Sequence, residues 1–341
     1  MDAFAPELCH GPLLGAAPRA LGYDRQRDFD PWRREVAATL RTLVGKPPEP
    51  VALTTHIEFE RETDLFRETR FVFASEPGAD VPCHLLVPRN GRAPFPVVIC
   101  LQGHSTGMHI SLGRPKFEGD AQLIGGERDF ALQAVREGYA ALALEQRCFG
   151  ERENPRPHEG GQSDRRCRRA TMVALMLGRT MIGERVWDVS RAIDALASFP
   201  EVDTSRIGCM GNSGGGTTTY FAACLDGRIS VAMPSCYVCT FGASLGSIEH
   251  CECNFIPDIM RYFEMGDLAA LIAPRPLVVV AGRADPIFPF SGVQETFETI
   301  QQIYAAAGAP GRCRLVVGEG GHRFYAGPAW PVFRELAAWQ V

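Results

Sequence analysis

A serine in a glycine-rich turn is the first residue of this sequence whose surroundings favour chemistry. Residues 211–215 read Gly-Asn-Ser-Gly-Gly, which fits the pattern G-x-S-x-G with Ser213 at its centre. The apolar segment RIGCMG precedes the pattern and GGTTTYFAACL follows it, which predicts a strand, a sharp turn and a helix. Such a turn exposes its serine as a nucleophile, and Gly211 and Gly215 leave room where side chains would clash. The alternative is that Ser213 only caps a helix, as in a phosphate-binding turn.

A serine hydroxyl needs a base to become a good nucleophile, and the sequence offers one downstream. His322 lies in GEGGHRF directly after the predicted strand RCRLVVG, and Asp285 follows the predicted strand PLVVVAG. The order serine, acid, histidine predicts that Asp285 orients His322, which takes the proton of Ser213. A surface position for His322 and turn formation by Asp285 are the alternative roles. Three other carboxylates remain alternatives for the acid: Asp258, Asp267 and Glu319.

Two backbone amides are predicted to bind the oxyanion that forms during acyl transfer. One belongs to Gly214, directly after the nucleophile, and the other to His104, in the loop after the apolar segment PVVICLQ. Gly103 lets that loop approach the serine closely. We assign Gln102, Gly103 and Arg147 to substrate binding. Arg147 could instead anchor its own loop to a carboxylate, and the His104 side chain could line the pocket or cap the loop.

Strand and helix patterns alternate regularly from residue 96 to the end of the chain. Continuous apolar runs such as PVVICLQ are typical of strands buried on both faces, which predicts a mostly parallel, doubly wound α/β sheet. Before residue 96, the segments VALTTHIEFE, ETRFVFAS and VPCHLLVP alternate apolar and polar residues, which predicts antiparallel strands with one solvated face. The parallel strands after residue 96 would carry the candidate residues at their carboxyl ends.

The first fifty residues differ from the rest and predict a helical extension. Asp30 reads as a helix cap, and Pro31 begins the amphipathic segment WRREVAATLRTLVG. We therefore divide the chain into an N-terminal extension, residues 1–50, and a catalytic domain, residues 51–341. Within that domain, a segment at about residues 241–270 is predicted to cap the active site and to select the substrate.

Composition and charge exclude several classes of partner. The 341 residues contain 35 Lys and Arg against 40 Asp and Glu, a net charge of −5, so we expect neither nucleic acid nor a membrane as a partner. The sequence has no bilayer-length apolar run and no start typical of a secretory signal, so we expect a cytoplasmic protein. It shows no phosphate loop, nicotinamide fingerprint or catalytic metal motif, so we expect no cofactor and no metal. A homo-oligomer is compatible with the sequence.

Twelve cysteines are scattered along the chain. Several lie in strand-like apolar runs, as Cys100 and Cys209 do, which is typical of buried free thiols in a reducing compartment. One group leaves two interpretations open, a structural zinc site or free thiols. It consists of Cys236, Cys239, His250, Cys251 and Cys253.

These motifs together resemble a known group of enzymes. Residues 65–341 resemble bacterial dienelactone-hydrolase-like and acetyl-xylan-esterase-like α/β-hydrolases. The segments that carry the resemblance are the elbow GNSGGG together with GHSTG, LEQRCFGER, RVWDVSRAIDAL, HCECNFIPDIMRYFEMGDLAALIAPRPL and GRADPIFP…EGGHRF. The resemblance implies the α/β-hydrolase fold, the triad Ser213, Asp285 and His322, and an oxyanion hole at Gly214 and His104. Dienelactone hydrolases proper have a cysteine nucleophile, and sugar-acetate esterases often have R-G-Q where this chain has EQRCFG.

The sequence therefore predicts a serine esterase that acts on a small-molecule carboxylic ester through an acyl-enzyme on Ser213. A short acyl group is what the resemblance implies. Two alternatives remain open. The same triad could act on another bond, as in a C–C bond hydrolase, a peptidase or an acyltransferase, or the chain could be a hydrolase-like scaffold that only binds.

Overall fold

A central β-sheet carries the structure. The computed structural model describes residues 5–153 and 167–340. Nine strands lie in those ranges: β1 (Thr55–Glu62), β2 (Phe66–Glu76), β3 (Ala79–Pro88), β4 (Phe95–Leu101), β5 (Ala140–Leu144), β6 (Val202–Asn212), β7 (Ile229–Ser235), β8 (Leu277–Gly282) and β9 (Cys313–Gly318). Their hydrogen-bonded order is β1-β2-β3-β5-β4-β6-β7-β8-β9. The pairs among β1, β2, β3 and β5 are antiparallel, and all later pairs are parallel. The predicted mostly parallel sheet with antiparallel N-terminal strands is confirmed.

Helices cover both faces of this sheet. In the described ranges they are α1 (Glu7–Gly15), α2 (Phe29–Leu43), α3 (Asp120–Leu123), α4 (Phe130–Arg136), α5 (Arg168–Met176), α6 (Met181–Leu196), α7 (Gly214–Leu225), α8 (Ile259–Tyr262), α9 (Phe290–Ala306) and α10 (Ala326–Ala337). Helices α2, α6, α7 and α9 pack into the core on one face, and α4 and α10 into the core on the other. None of the helices built from these residues is long and apolar enough to cross a membrane.

Burial on both faces explains why the sequence of β4 is apolar throughout. Val97, Ile99 and Leu101 lie in the core on one face of the sheet, and Val98 and Cys100 lie in the core on the other. Because successive side chains of a strand point to opposite faces, a strand covered by helices on both sides has no solvated position. This burial fixes the end of β4, where the loop with Gln102, Gly103 and His104 begins.

The N-terminal extension packs on the main core. Helix α2 begins at Phe29 with Asp28 at the N-cap position, so the predicted cap at Asp30 is wrong by two residues. Asp30 lies in the first turn instead, where a negative charge is also favourable. The apolar stripe of α2 is buried in the core, as its spacing predicts, and it consists of Trp32, Val36 and Leu40.

Residues before α2 hold the segment that we predict to cap the active site. The backbone N–H groups of Ala20 and Leu21 donate to the carbonyl oxygens of Arg261 and Tyr262, each at 2.9 Å. The Tyr23 N–H donates to a carboxylate oxygen of Asp267 at 2.8 Å. Extension and cap-like segment are therefore hydrogen-bonded to each other, while the division of the chain at residue 50 stays a prediction.

Candidate active site

Ser213 occupies the sharp turn between β6 and α7. Its backbone has φ 57° and ψ −122°, a strained conformation for a residue with a side chain. A Cβ on Gly211 would lie 2.6 Å from the carbonyl oxygen of Leu101, and one on Gly215 would lie 2.0 Å from the same oxygen. Both distances are far below a van der Waals contact, so glycine is required at both positions. The turn thus has the geometry of a nucleophile elbow.

The loop after β4 lies directly against this turn. A Cβ on Gly103 would approach the carbonyl oxygen of Asn212 to 2.5 Å and Cβ of Ser213 to 2.9 Å. A Cβ on Gly214 would lie 3.0 Å from Nδ1 of His104. The two residues whose amides are predicted to bind an oxyanion are therefore neighbours of Ser213. The N-terminus of α7 adds its partial positive charge there.

His322 and Asp285 form a hydrogen-bonded pair. The imidazole Nδ1–H donates to Oδ2 of Asp285 at 2.8 Å. The other carboxylate oxygen accepts from the backbone N–H groups of Ile287, at 2.8 Å, and Phe288, at 3.2 Å. Burial of Asp285 favours the neutral acid, but the hydrogen bond and charge of His322 and these two amides outweigh it, so the pKa is lowered. An ionised Asp285 holds the proton on Nδ1 and leaves Nε2 as the base.

The three alternative acids have other partners. Asp258 pairs with Arg261 in the next turn of the chain, and Glu319 pairs with Arg283 at the surface. Asp267 accepts hydrogen bonds from two backbone amides. The geometry therefore favours Asp285 as the acid that orients His322.

Strand β7 connects the serine to the histidine and the acid. The Ser213 N–H donates to the carbonyl oxygen of Ser235 at 2.9 Å, where β7 ends. The side chain of the next residue, Cys236, lies within 4.8 Å of one polar atom each of Asp285 and His322. Burial and the negative charge of Asp285 raise the pKa of the Cys236 thiol to about 12, so it stays protonated at neutral pH. The carboxyl ends of β6, β7, β8 and β9 thus bring the three predicted triad residues to one edge of the sheet.

Gln102 holds the loop after β4 in place. Its buried Nε2 donates to Oγ of Ser111 at 2.7 Å and to the carbonyl oxygen of Arg128 at 2.6 Å. These contacts place its amide group among protein atoms. Its assignment to substrate binding stays a prediction, whereas its contacts are those of a residue that positions the loop.

Arg147 is surrounded by carboxylates. Nε and Nη2 donate to the two oxygens of Asp188, each at 2.8 Å. Nη1 reaches Glu184 at 3.0 Å and Glu76 at 2.7 Å. Burial opposes the positive charge, but these carboxylates outweigh burial and raise the pKa of Arg147. The contacts favour the anchoring role that the sequence left open. All three guanidinium nitrogens of Arg147 are bound to carboxylates of the protein and not directed to a substrate.

His250 is a candidate active-site residue, whereas the sequence pattern placed it only in the candidate metal group. Its ring packs edge-on against Phe288, with centroids 5.5 Å apart, and Phe288 stacks on His322 at 5.8 Å. Nδ1 lies 3.1 Å from Nδ2 of Asn254, so with the amide in this orientation Nδ1 accepts and Nε2 carries the proton. Burial is the main cause that lowers the pKa of His250 to about 4. Nε2 is buried and has no hydrogen-bond partner among the described residues, which makes its N–H a candidate donor to a ligand.

A cavity of about 740 Å³ adjoins this site. Its wall includes His104, Phe149, Cys167, His250 and Cys251. The Phe149 ring lies edge-on to His104, with centroids 4.9 Å apart. The cavity reaches the candidate triad through His104 and His250. The sequence signals for His250 were its place in the predicted cap segment and in the Cys/His group, and neither predicted a contact with the triad.

Known proteins resemble the chain over most of its length. The model of the Abhydrolase family matches residues 21–315. The Bacillus subtilis (strain 168) protein YtaP, named as a candidate hydrolase, is 26% identical over 295 residues, which are 85% of this chain and 94% of YtaP.

Solved structures share the fold at low identity. A glucuronoyl esterase from Solibacter usitatus has a TM-score of 0.71 at 16% identity, over 94% of this chain and 96% of its own. A candidate acetyl xylan esterase from Bacteroides fragilis has a TM-score of 0.76 at 18% identity, over 93% of this chain and 83% of its own. An acetyl xylan esterase from Paenibacillus sp. R4 has a TM-score of 0.59 at 19% identity, over 96% of this chain and 99% of its own.

Proposed function

The chain belongs to the Abhydrolase family, and on that basis we propose that it is a serine hydrolase that cleaves carboxylic esters through an acyl-enzyme on Ser213. One observation carries the proposal. Ser213 sits at φ 57° on the turn after β6, and the 2.8 Å His322–Asp285 pair follows β9 and β8, whose carboxyl ends lie at the same edge of the sheet. A binding scaffold has no need for a strained serine next to an oriented imidazole, so the arrangement favours catalysis.

The proposed reaction has two halves. His322 Nε2 takes the proton of Ser213 Oγ as the oxygen attacks the ester carbonyl, and the amides of Gly214 and His104 bind the resulting oxyanion. The intermediate collapses, the C–O bond to the alcohol breaks, and the imidazolium gives its proton to the departing oxygen. Water then attacks the acyl-enzyme with His322 again as base, which releases the acid and restores the serine. Asp285 stabilises the imidazolium in both halves.

A short acyl group is part of the proposal. A Cβ on Gly214 would already lie 3.4 Å from Cζ of Phe149, and Phe149 is itself buried. This ring limits the space beside the proposed oxyanion hole, where the acyl chain must lie. The cavity of about 740 Å³ that His104 and His250 line would receive the alcohol part, with the Nε2–H of His250 as a hydrogen-bond donor to it. The names of the acetyl xylan esterases agree with a small acyl group.

Labelling with a fluorophosphonate tests the nucleophile directly. We expect one covalent adduct, located on Ser213 by peptide mass spectrometry, in the native protein. The adduct is expected to be lost in Ser213→Ala and strongly reduced in His322→Ala, while Ser235→Ala serves as a neighbouring serine control. Folded protein that reacts at no serine would reject the proposal and leave the binding scaffold as the function to test.

A panel of p-nitrophenyl esters tests the acyl preference. We expect kcat/KM to fall steadily from acetate to butyrate to octanoate, because Phe149 restricts the acyl side. Phe149→Ala should flatten this series by accelerating the longer esters. Equal rates for all three esters in the native protein would contradict the short-acyl part and leave the nucleophile assignment intact.

A further inference from the structure

Three cysteines and a histidine converge on one point beside the cavity. They come from three separate stretches of the chain: His104 from the loop after β4, Cys167 before α5, and Cys251 and Cys253 from the cap-like segment. One ligand-type atom of each, the thiol sulfur or a ring nitrogen, lies within 4.8 Å of all the others. Nε2 of His104 is 3.2 Å from Sγ of Cys253.

This cluster is not the one that the sequence pattern suggested. The side chain of Cys236 lies against the triad, and the thiol of Cys239 donates to the carbonyl oxygen of Pro289 at 3.6 Å. Their places are taken by His104 and Cys167, which lie far from Cys251 in the sequence. A Cys-x-x-Cys spacing at the end of a strand therefore did not identify the residues that meet in space.

The separations suit a small tetrahedral cation. Zinc bonds of about 2.3 Å to sulfur and about 2.0 Å to nitrogen put neighbouring ligand atoms about 3.5–3.8 Å apart. The observed upper limit of 4.8 Å needs a contraction of only about 1 Å at the longest edge. Thiolate and imidazole are the ligands that select zinc over magnesium or calcium. Four protein ligands leave no open position, which is typical of a structural rather than a catalytic ion.

Arg185 supplies an independent indication of negative charge at the cluster. The guanidinium is fully buried and donates to Sγ of Cys253 at 3.3 Å and to Sγ of Cys167 at 3.5 Å. Its other contacts are the carbonyl oxygen of Arg147 and the face of Phe149, whose centroid is 4.3 Å from the guanidinium carbon. Within residues 5–153 and 167–340, no carboxylate pairs with Arg185.

A buried cation without a carboxylate needs another counter-charge. Neutral thiols do not provide one. Three thiolates, one neutral imidazole and one divalent cation carry a net charge of −1, which balances the guanidinium of Arg185. Binding would release the three thiol protons to solvent.

We propose that His104, Cys167, Cys251 and Cys253 bind one structural Zn²⁺ ion. The ion fastens the loop that carries the proposed oxyanion donor to the cap-like segment, with the Arg185 guanidinium packed against it. Cys167 and Cys251 also line the cavity, which gives the ion a path from solvent. This site departs from the sequence-based expectation that the protein holds no metal.

Metal analysis of the full-length protein tests the site. Protein purified under reducing conditions without chelator is expected to contain close to one zinc ion per chain by inductively coupled plasma mass spectrometry. Cys251→Ser, at a half-buried position, should lose the ion while circular dichroism shows a folded protein. Cys9→Ser, on the exposed side of α1, is the matched control and should keep it.

A second measurement uses Co²⁺ as a spectroscopic probe. Titration of the reduced, metal-free protein with Co²⁺ should produce thiolate-to-cobalt charge-transfer absorption that saturates near one equivalent and is absent in Cys251→Ser. Folded, reduced protein that binds neither Zn²⁺ nor Co²⁺ would overturn the proposal. Equal zinc content in Cys251→Ser and the native protein, or a disulfide within the cluster of the metal-free protein as purified, would also overturn it. Neither measurement depends on esterase activity, so this proposal and the nucleophile assignment can fail separately.

Discussion

Replacement of Asp285 by asparagine should move the proton of neutral His322 from Nδ1 to Nε2. Oδ1 of Asp285 accepts two backbone N–H groups, from Ile287 and Phe288, and only an oxygen can keep those bonds. The asparagine must therefore turn its NH₂ group toward Nδ1 of His322, 2.8 Å away in the native pair. Nδ1 then has to accept, so Nε2 carries the proton and cannot take one from Ser213.

The expected loss follows from this exchange of roles. Where a triad aspartate is changed to asparagine and the geometry is kept, kcat falls by a factor on the order of 10⁴, which corresponds to about 5.5 kcal/mol in the barrier. The fold should survive, because asparagine has nearly the same shape and keeps the two amide bonds. The assay is the hydrolysis of p-nitrophenyl acetate, with thermal unfolding to confirm that the variant is native.

Glu319→Gln is the matched control for this prediction. Glu319 was an alternative acid in the sequence and pairs with Arg283 at the surface, so its variant should keep nearly full kcat. A folded Asp285→Asn protein that keeps more than about a tenth of the native kcat would refute the reasoning. So would a large loss in Glu319→Gln, since it would place the acid at that position.

Three further predictions concern the loop, the cap-like segment and acid stability. Gly103→Ala should lower kcat/KM by on the order of 100-fold, because its Cβ would lie 2.5 Å from the carbonyl oxygen of Asn212 and displace the proposed oxyanion donor by about 1 Å. His250→Phe keeps the ring packing but removes Nε2–H, and should raise KM about tenfold with a small change in kcat. Burial opposes ionisation of Glu68, but hydrogen bonds with His84, Arg114 and Arg61 outweigh it and hold its pKa far below 4.5. The stabilisation is therefore complete above the unfolded-state value of about 4.5 and is lost as the pH falls below it, so Glu68→Gln should lower Tm at pH 7 and weaken its fall toward pH 3.

Each of these expected outcomes has a contradicting result, and the first also has a matched control. Gly227→Ala adds a Cβ with no atom within 4 Å and should leave kinetics unchanged, so equal effects at both glycines would remove the steric argument. An unchanged KM in His250→Phe would mean that Nε2 does not contact the substrate. Identical curves of Tm against pH for Glu68→Gln and the native protein would show that the carboxylate is not stabilised by its partners.

The sequence predicted the parts of the site that depend on local geometry and strand order. The turn at Ser213 follows from Gly211 and Gly215, where the pattern predicts that side chains would clash, while the contact with Leu101 of β4 is seen only in the structure. Asp285 and His322 follow from their places at the ends of successive parallel strands. These inferences need only the chain near each residue and the rule that such strands end at one edge.

Contacts between distant segments could not be predicted. The role of Arg147 depends on Glu76 in β2 and Asp188 in α6, and no local pattern shows that they meet. The cysteine cluster needs His104 and Cys167, which are separated from Cys251 by whole elements of the fold. Sequence spacing reports neighbours along the chain, whereas side-chain partners are fixed only when the sheet and its helices are packed.

The contacts of the N-terminal extension affect the order in which segments of the protein dock during synthesis. The hydrogen bond from Tyr23 to Asp267 spans 244 residues, so the beginning of the chain leaves the ribosome long before its partner exists. Closing so long a loop costs entropy that only late contacts repay, so the extension should stay undocked while the sheet forms. A segment that is synthesised long before its partner is then among the last to find its place, and the nascent protein carries the apolar stripe of α2 uncovered while the later strands are made.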